Sequence, residues 1–161
     1  MNNKLKIIFL DIDGVLNSDK WYKSDEAKKA YEKTKIVSDY HFDPNAWKLV
    51  EKLLIETGAK IVLSSSWRNL TLEKTLKDFT GTKFEVLNKY IVGITPRSRL
   101  RHRGKEIETF MQSTDIKIDK YVIIDDDSDM NTEQLPYFVR TDWFQGITEE
   151  NYNKAKKILN N

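Results

Sequence analysis

The chain has 161 residues, 39% of them apolar and 32% charged, with a net charge of +2 and no cysteine. That length suits a single domain, residues 1–161, with a sizeable core, and the near-balanced charge calls for no nucleic acid as a global partner, so any basic surface is local. Lack of cysteine excludes disulfides, thiolate metal sites and a cysteine nucleophile and fits a cytoplasmic protein, while no apolar run nears the ~20 residues of a membrane span.

In chain order, Leu5 to Leu10 reads as a buried strand that ends in Asp11-Ile12-Asp13-Gly14. Asp11 interrupts the apolar stretch too early for a signal peptide. If the chain stays extended past Leu10, Ile12 points away and both carboxylates address one space. Residues from about 18 to 42 are poor in aliphatics, with a short helix capped by Ser24, and read as a small excursion over the site; Trp21 and Tyr22 within it, and Trp67 beyond it, read as exposed aromatics. Asp43-Pro44 starts a helix carrying Trp47, Val50 and Leu54 and closed by Gly58. Ile61 to Leu63 is a short strand leading into Ser64-Ser65-Ser66-Trp67-Arg68. Leu72, Leu76 and Phe79 mark a helix, Phe84 to Ile94 one or two short strands, and Glu106 to Met111 the body of another helix. Tyr121 to Ile124 is a strand running into Asp125-Asp126-Asp127, Tyr137 to Val139 a last strand, and Thr148 caps a final helix.

Aliphatic strands alternating with helices predict an α/β fold, a mostly parallel sheet covered on both faces. Right-handed crossovers place Asp11/Asp13, the serines and the Asp125 cluster on one edge of it, where open sheets bind ligands. One of the two N-terminal acids can attack phosphorus while the other handles protons. Adjacent carboxylates at Asp125 and Asp126 need a cation, and an oxygen-only donor set points to Mg²⁺. Ser64, Ser65 and Ser66 offer hydroxyls and N–H groups to phosphoryl oxygens. Arg97, Arg99, Arg101, Arg103 and Lys105 form a basic run whose last member can neutralise phosphoryl charge if it reaches the site. His41 and His102 belong to no motif.

Together these stretches resemble the haloacid dehalogenase (HAD) superfamily of aspartate-nucleophile phosphatases. The resemblance covers Asp11-Ile12-Asp13-Gly14, Ile61-Val62-Leu63 with Ser64 or Ser65, Lys105 with Arg103 as competitor, and Asp125-Asp126, in the family's order. More narrowly, the Ser-Ser-x-Trp-Arg, Gly-x-Thr-Pro-Arg, Arg-Gly-x-Glu-Ile and Asp-Asp-Asp-Ser-Asp stretches resemble small bacterial and phage HAD domains, some grouped with RNA-repair polynucleotide phosphatases. The resemblance implies a Rossmann-like core with a small cap inserted after the first strand. It implies Asp11 as nucleophile, Asp13 as acid/base, Ser65 (or Ser64) and Lys105 on the phosphoryl group, and Mg²⁺ on Asp11, the Asp13 carbonyl and Asp125 or Asp126. Gly14, Ser66, Trp67, Arg68 and Arg103 are expected at the substrate. The expected reaction is Mg²⁺-dependent hydrolysis of a phosphomonoester through an aspartyl-phosphate, at a nucleotide or nucleic-acid end, with no membrane and no obligate protein partner. The alternative is a non-catalytic phosphate- or nucleic-acid-binding module on the same scaffold.

Overall fold

A computed structural model describes residues 4–161. Its five strands are β1 (Leu5–Leu10), β2 (Lys60–Leu63), β3 (Ile91–Ile94), β4 (Ile118–Asp125) and β5 (Phe138–Arg140). They form one sheet in the order β3-β2-β1-β4-β5, parallel throughout. The helices are α1 (Asp19–Tyr22), α2 (Asp25–Thr34), α3 (Val37–Tyr40), α4 (Pro44–Thr57), α5 (Leu72–Phe79), α6 (Arg103–Ser113) and α7 (Glu149–Asn160). None of them is long and apolar enough to cross a membrane.

β1 is central and buried on both faces because its apolar run is unbroken. Ile8 and Leu10 pack into a core that includes Val50, Leu53, Phe79, Ala155 and Leu159 from α4, α5 and α7. Ile7 and Phe9 point the other way, into a second core with Ile107 and Phe110 of α6. Helices thus cover both faces, as a Rossmann-like α/β fold requires. The chain builds outward from β1 through β2 and β3, then returns to β1's other side for β4 and β5. That reversal leaves a crevice beyond the carboxyl ends of β1 and β4, the usual ligand position in such sheets. Asp11 and Asp125 stand there.

Local caps place the main helices. The Asp43 carboxylate accepts from Asn45 N at 2.8 Å and Pro44 opens α4. The Thr148 hydroxyl accepts from Asn151 N at the start of α7, with the Asn151 side chain reaching back to Thr148 N.

The structure departs from the sequence reading in three places. The chain past Leu10 is a tight turn, not extended, with Ile12 O accepting from both Val15 N and Leu16 N. Of the one or two strands expected between Phe84 and Ile94 there is one, β3, while Lys83–Leu87 form a 3₁₀ helix, because the Thr82 hydroxyl caps Phe84 N and Phe84 and Leu87, three apart, both enter the core. A second 3₁₀ helix, Thr132–Tyr137, precedes β5. Between β1 and α4, residues 18–42 fold as α1 to α3 and are tied down by Trp21 and Phe42, which are buried.

Candidate active site

Asp11 follows β1 directly and is buried, its Oδ1 accepting from Ile12 N at 2.8 Å. Burial pushes its carboxyl up to about 6, held back by the nearby Arg103 guanidinium, by the nearby Ser65 hydroxyl and by the hydrogen bond from Ile12 N. Ser65 and Ser64 face different ways past β2. Ser65 turns to Asp11, while the Ser64 hydroxyl accepts from Thr95 Oγ1 at 3.4 Å and its N–H donates to Leu10 O. Ser66, one further on, is exposed.

Asp13 is held at both oxygens. Asn17 Nδ2 donates to Oδ1 at 3.0 Å and Trp67 Nε1 donates to Oδ2 at 2.9 Å. Asn17 is fixed in turn, donating to His41 O at 3.1 Å and accepting from Gly14 N at 3.0 Å. His41 also packs its ring edge-on to Trp67 and shares a 2.8 Å hydrogen bond with the Tyr22 hydroxyl. So the segment after β1 reaches the site through His41, a residue the sequence leaves outside any motif. Gly14 sits at φ +73°, and a Cβ there would stand 2.5 Å from the Asp126 carboxylate. Only glycine lets the turn pass this close to the second acidic cluster.

Asp125, at the end of β4, is fully buried, and Asp126 half-buried, whereas Asp127 is exposed and points its N–H back at Asp125 Oδ1 at 2.9 Å. Burial and the facing Asp11 carboxylate push Asp125 up to about 8. Burial likewise raises Asp126, with Asp127 and Asp13 adding to it. One carboxylate oxygen from each of Asp11, Asp125 and Asp126 can lie within 4.8 Å of the other two. Asp125 Oδ2 is buried and accepts no hydrogen bond among the described residues. A hard dication fits this set: all donors are oxygens, their charges repel, and one buried acceptor lacks a donor.

The cation that reaches these acids is Arg103. Its Nη2 lies 3.8 Å from Asp11 Oδ1, and its Nε stands 2.9 Å from Asp125 Oδ2, out of line for a hydrogen bond. Burial alone would lower the Arg103 guanidinium, but Asp125, Asp11 and Glu106 outweigh burial and raise it. Lys105, expected at this place, is exposed and makes no ion pair among the described residues. The reason is helical geometry: two residues along α6 turn the side chain by roughly 200°. Gly104 between them packs against the chain near Asn131, where a Cβ would lie 2.5 Å from Asn131 N. The Asp129 carboxylate accepts from Arg103 N at 2.7 Å and its carbonyl from Gly104 N at 3.0 Å, fixing the helix start.

Arg68, expected at the substrate, is buried instead and spends its guanidinium on the protein. It donates to Thr95 O at 2.7 Å, Pro96 O at 3.2 Å and Glu106 Oε2 at 2.7 Å, and also to Ser65 O. Glu106 completes the chain of contacts, facing Arg103 Nη1 at 3.4 Å and accepting from Ser98 N at 2.8 Å. Arg68 and Glu106 therefore lock the serine turn to Arg103. The role of Glu106 escaped the sequence reading, although its place three residues after Arg103 is a usable sign. Of the aromatics expected to be exposed, Trp21 is buried and bonded to Tyr40 O at 2.8 Å, Tyr22 stacks on Tyr40, and Trp67 is half-buried on Asp13. Trp143 and Phe144 are exposed, Trp143 lying 6.2 Å from Tyr22.

Residues 7–152 match a family model described as the HAD domain in Swiss Army Knife RNA repair proteins. No curated protein matches the chain. A crystal structure described as a predicted phosphatase from Clostridium acetobutylicum is 15% identical, with 96% of this chain and 98% of that one covered and a TM-score of 0.46.

Proposed function

The chain belongs to the family of HAD domains in Swiss Army Knife RNA repair proteins, and from that premise we propose that it is a cytoplasmic, Mg²⁺-dependent phosphomonoesterase with Asp11 as nucleophile. The observation that carries the reading is that the two acids have separate surroundings. Asp11 faces Ser65 and Arg103, the groups suited to hold a phosphoryl, while Asp13 is held apart from it by Asn17 and Trp67. Asp11 attacks phosphorus in line, the ester P–O bond breaks, and the leaving oxygen takes its proton from Asp13. Asp13 then removes a proton from water, which attacks the aspartyl-phosphate and releases inorganic phosphate and Asp11. Ser65 and Arg103 stabilise the charge on the transferring oxygens. Asp11, Asp125 and Asp126 would hold Mg²⁺, which when bound neutralises carboxylate and phosphoryl charge.

The family's description in terms of RNA repair supports a nucleotide or nucleic-acid end as the substrate, and so does the local arginine run beside the site. A binding module on this scaffold has no use for an acid/base held at both oxygens, which favours the enzyme. The experiment is hydrolysis of an aryl phosphate with Mg²⁺, with EDTA, and with Asp11→Asn. Turnover that requires Mg²⁺ and is lost in Asp11→Asn supports the reading. Activity surviving both treatments, or tight phosphate binding with no turnover on any ester, removes it.

A further inference from the structure

Next to the catalytic acids the surface holds a second depression, of about 400 Å³, lined by Arg97, Arg101 and Arg103, with Ser66, Ser98 and Asp127 between and beside them. It borders the site already described, since Arg103 lines it and also reaches Asp11. Ser66 directly follows the phosphoryl-facing Ser65. Charge here is not evenly cancelled. Arg68 is paired with Glu106, and Arg103 faces Asp11, Asp125 and Glu106. Arg97 and Arg101 form no ion pair among the described residues, and of the two acids lining the depression Glu106 is already paired with Arg68 and Arg103, which leaves Asp127.

Both arginines are held in place by the backbone. Arg97 Nη2 donates to Ser66 O at 3.0 Å and to Arg68 O at 2.5 Å, which anchors its guanidinium by one nitrogen at the mouth of the depression. Arg101 sits at φ +51°, a conformation that side-chain-bearing residues other than Asn and Asp seldom adopt. The turn is closed by Arg101 N donating to Ser98 O at 3.1 Å and His102 N donating to the Ser98 hydroxyl at 3.1 Å. One anchored guanidinium, of Arg97, and a second, of Arg101, whose backbone is fixed and whose side chain is exposed, neither of them in an ion pair and both lining a depression shared with Arg103, suit a second anion on the same substrate.

We propose that Arg97 and Arg101 form a second phosphate subsite, so that esters carrying another phosphate beside the scissile one bind better than esters carrying the scissile phosphate alone. The inference rests on the phosphatase reading for the position of the first phosphate. The second phosphate comes either from a bisphosphorylated nucleoside or from the neighbouring diester of a polynucleotide, and both present the same oxygens to the arginines.

The test is calorimetric binding of adenosine 3′-monophosphate, adenosine 3′,5′-bisphosphate and a 3′-phosphorylated dinucleotide, in an Asp11→Asn background that prevents turnover. Arg101→Asn removes the charge while tolerating the left-handed backbone. The added phosphate is expected to tighten binding about fivefold with Arg101 and about equally with Arg101→Lys, and to give no gain with Arg101→Asn. The gain should shrink at high ionic strength. A gain confined to the bisphosphate assigns the subsite to a terminal phosphate, and one shared by the dinucleotide to a diester. No gain with Arg101 present, or a gain that persists in Arg101→Asn, overturns the proposal. Aryl phosphate turnover is measured alongside in the two Arg101 variants with Asp11 intact. Its absence from the wild type would remove the phosphatase reading without deciding the subsite, which the binding data decide by themselves.

Discussion

Replacing Asp125 by asparagine should stabilise the metal-free protein at alkaline pH. Asp125 is wholly buried and faces Asp11, and together these push its carboxyl up to about 8 from an ordinary 3.8. A carboxyl raised in the folded state contributes stability that is fully present below its unfolded value and is lost as pH climbs through the folded one. Each pH unit crossed costs about 1.4 kcal/mol, so the window from roughly pH 4 to pH 8 carries on the order of 5 kcal/mol. Asp11 titrates with Asp125, so part of that loss belongs to the pair, and about 2 kcal/mol is a fair expectation for removing Asp125 alone. Arg103 is not stranded by the change, because Asp11 and Glu106 remain beside it. For a chain of this size about 2 kcal/mol corresponds to roughly 4–8 °C. Thermal unfolding in EDTA should give similar midpoints for wild type and Asp125→Asn near pH 4, and a higher midpoint for the variant at pH 8.5. Mg²⁺ should raise the wild-type midpoint most at pH 8.5 and raise that of the variant much less. Parallel pH curves for the two proteins, or equal Mg²⁺ stabilisation of both, would refute the reasoning.

Other expectations concern the groups around the acids. Arg103→Ala should lower kcat/KM for an aryl phosphate by about 10²–10³-fold, whereas Lys105→Ala should stay within about twofold; the reverse order would exchange their roles. Trp67→Phe keeps the ring against His41 and Phe84 but removes the donor to Asp13. It should cost about tenfold on esters with poor leaving groups and little on 4-nitrophenyl phosphate, because only the former need a well-placed acid. An equal loss across leaving groups would mean that Trp67 serves packing alone. Gly104→Ala places a methyl against Asn131 N, at 2.5 Å from an unmoved backbone, and should destabilise by about 1–3 kcal/mol in urea unfolding, with activity falling as Arg103 shifts.

Much of the scaffold was legible because its physics is local. Unbroken aliphatic runs at Ile7–Leu10 and Tyr121–Ile124 announced strands buried on both faces, and Asp43-Pro44 and Thr148 announced helix starts that the structure places where the capping chemistry puts them. The meeting of Asp11, Ser65, Asp125 and Asp126 at one edge followed from parallel topology. What stayed out of reach depends on side-chain direction. Arg103 and Lys105 share the first turn of α6, and only the rotation of that helix against Asp125 and Asn131 decides between them. Arg68 looks like a substrate ligand in sequence because it follows three hydroxyls. Its four carbonyl and carboxylate partners come from β3's end and α6 as well as its own turn, and no local pattern reveals that. Trp67 looks like an exposed ring until His41, brought in from before α4, covers it.

In the proposed reaction Asp11 attacks phosphorus before water does. Hydrolysis of a phosphorothioate monoester made chiral at phosphorus with oxygen isotopes, run in isotopically labelled water, reads the number of displacements directly. Two in-line transfers, to Asp11 and then to water, predict net retention of configuration. Net inversion would mean a single direct attack by water and would contradict Asp11 as the nucleophile.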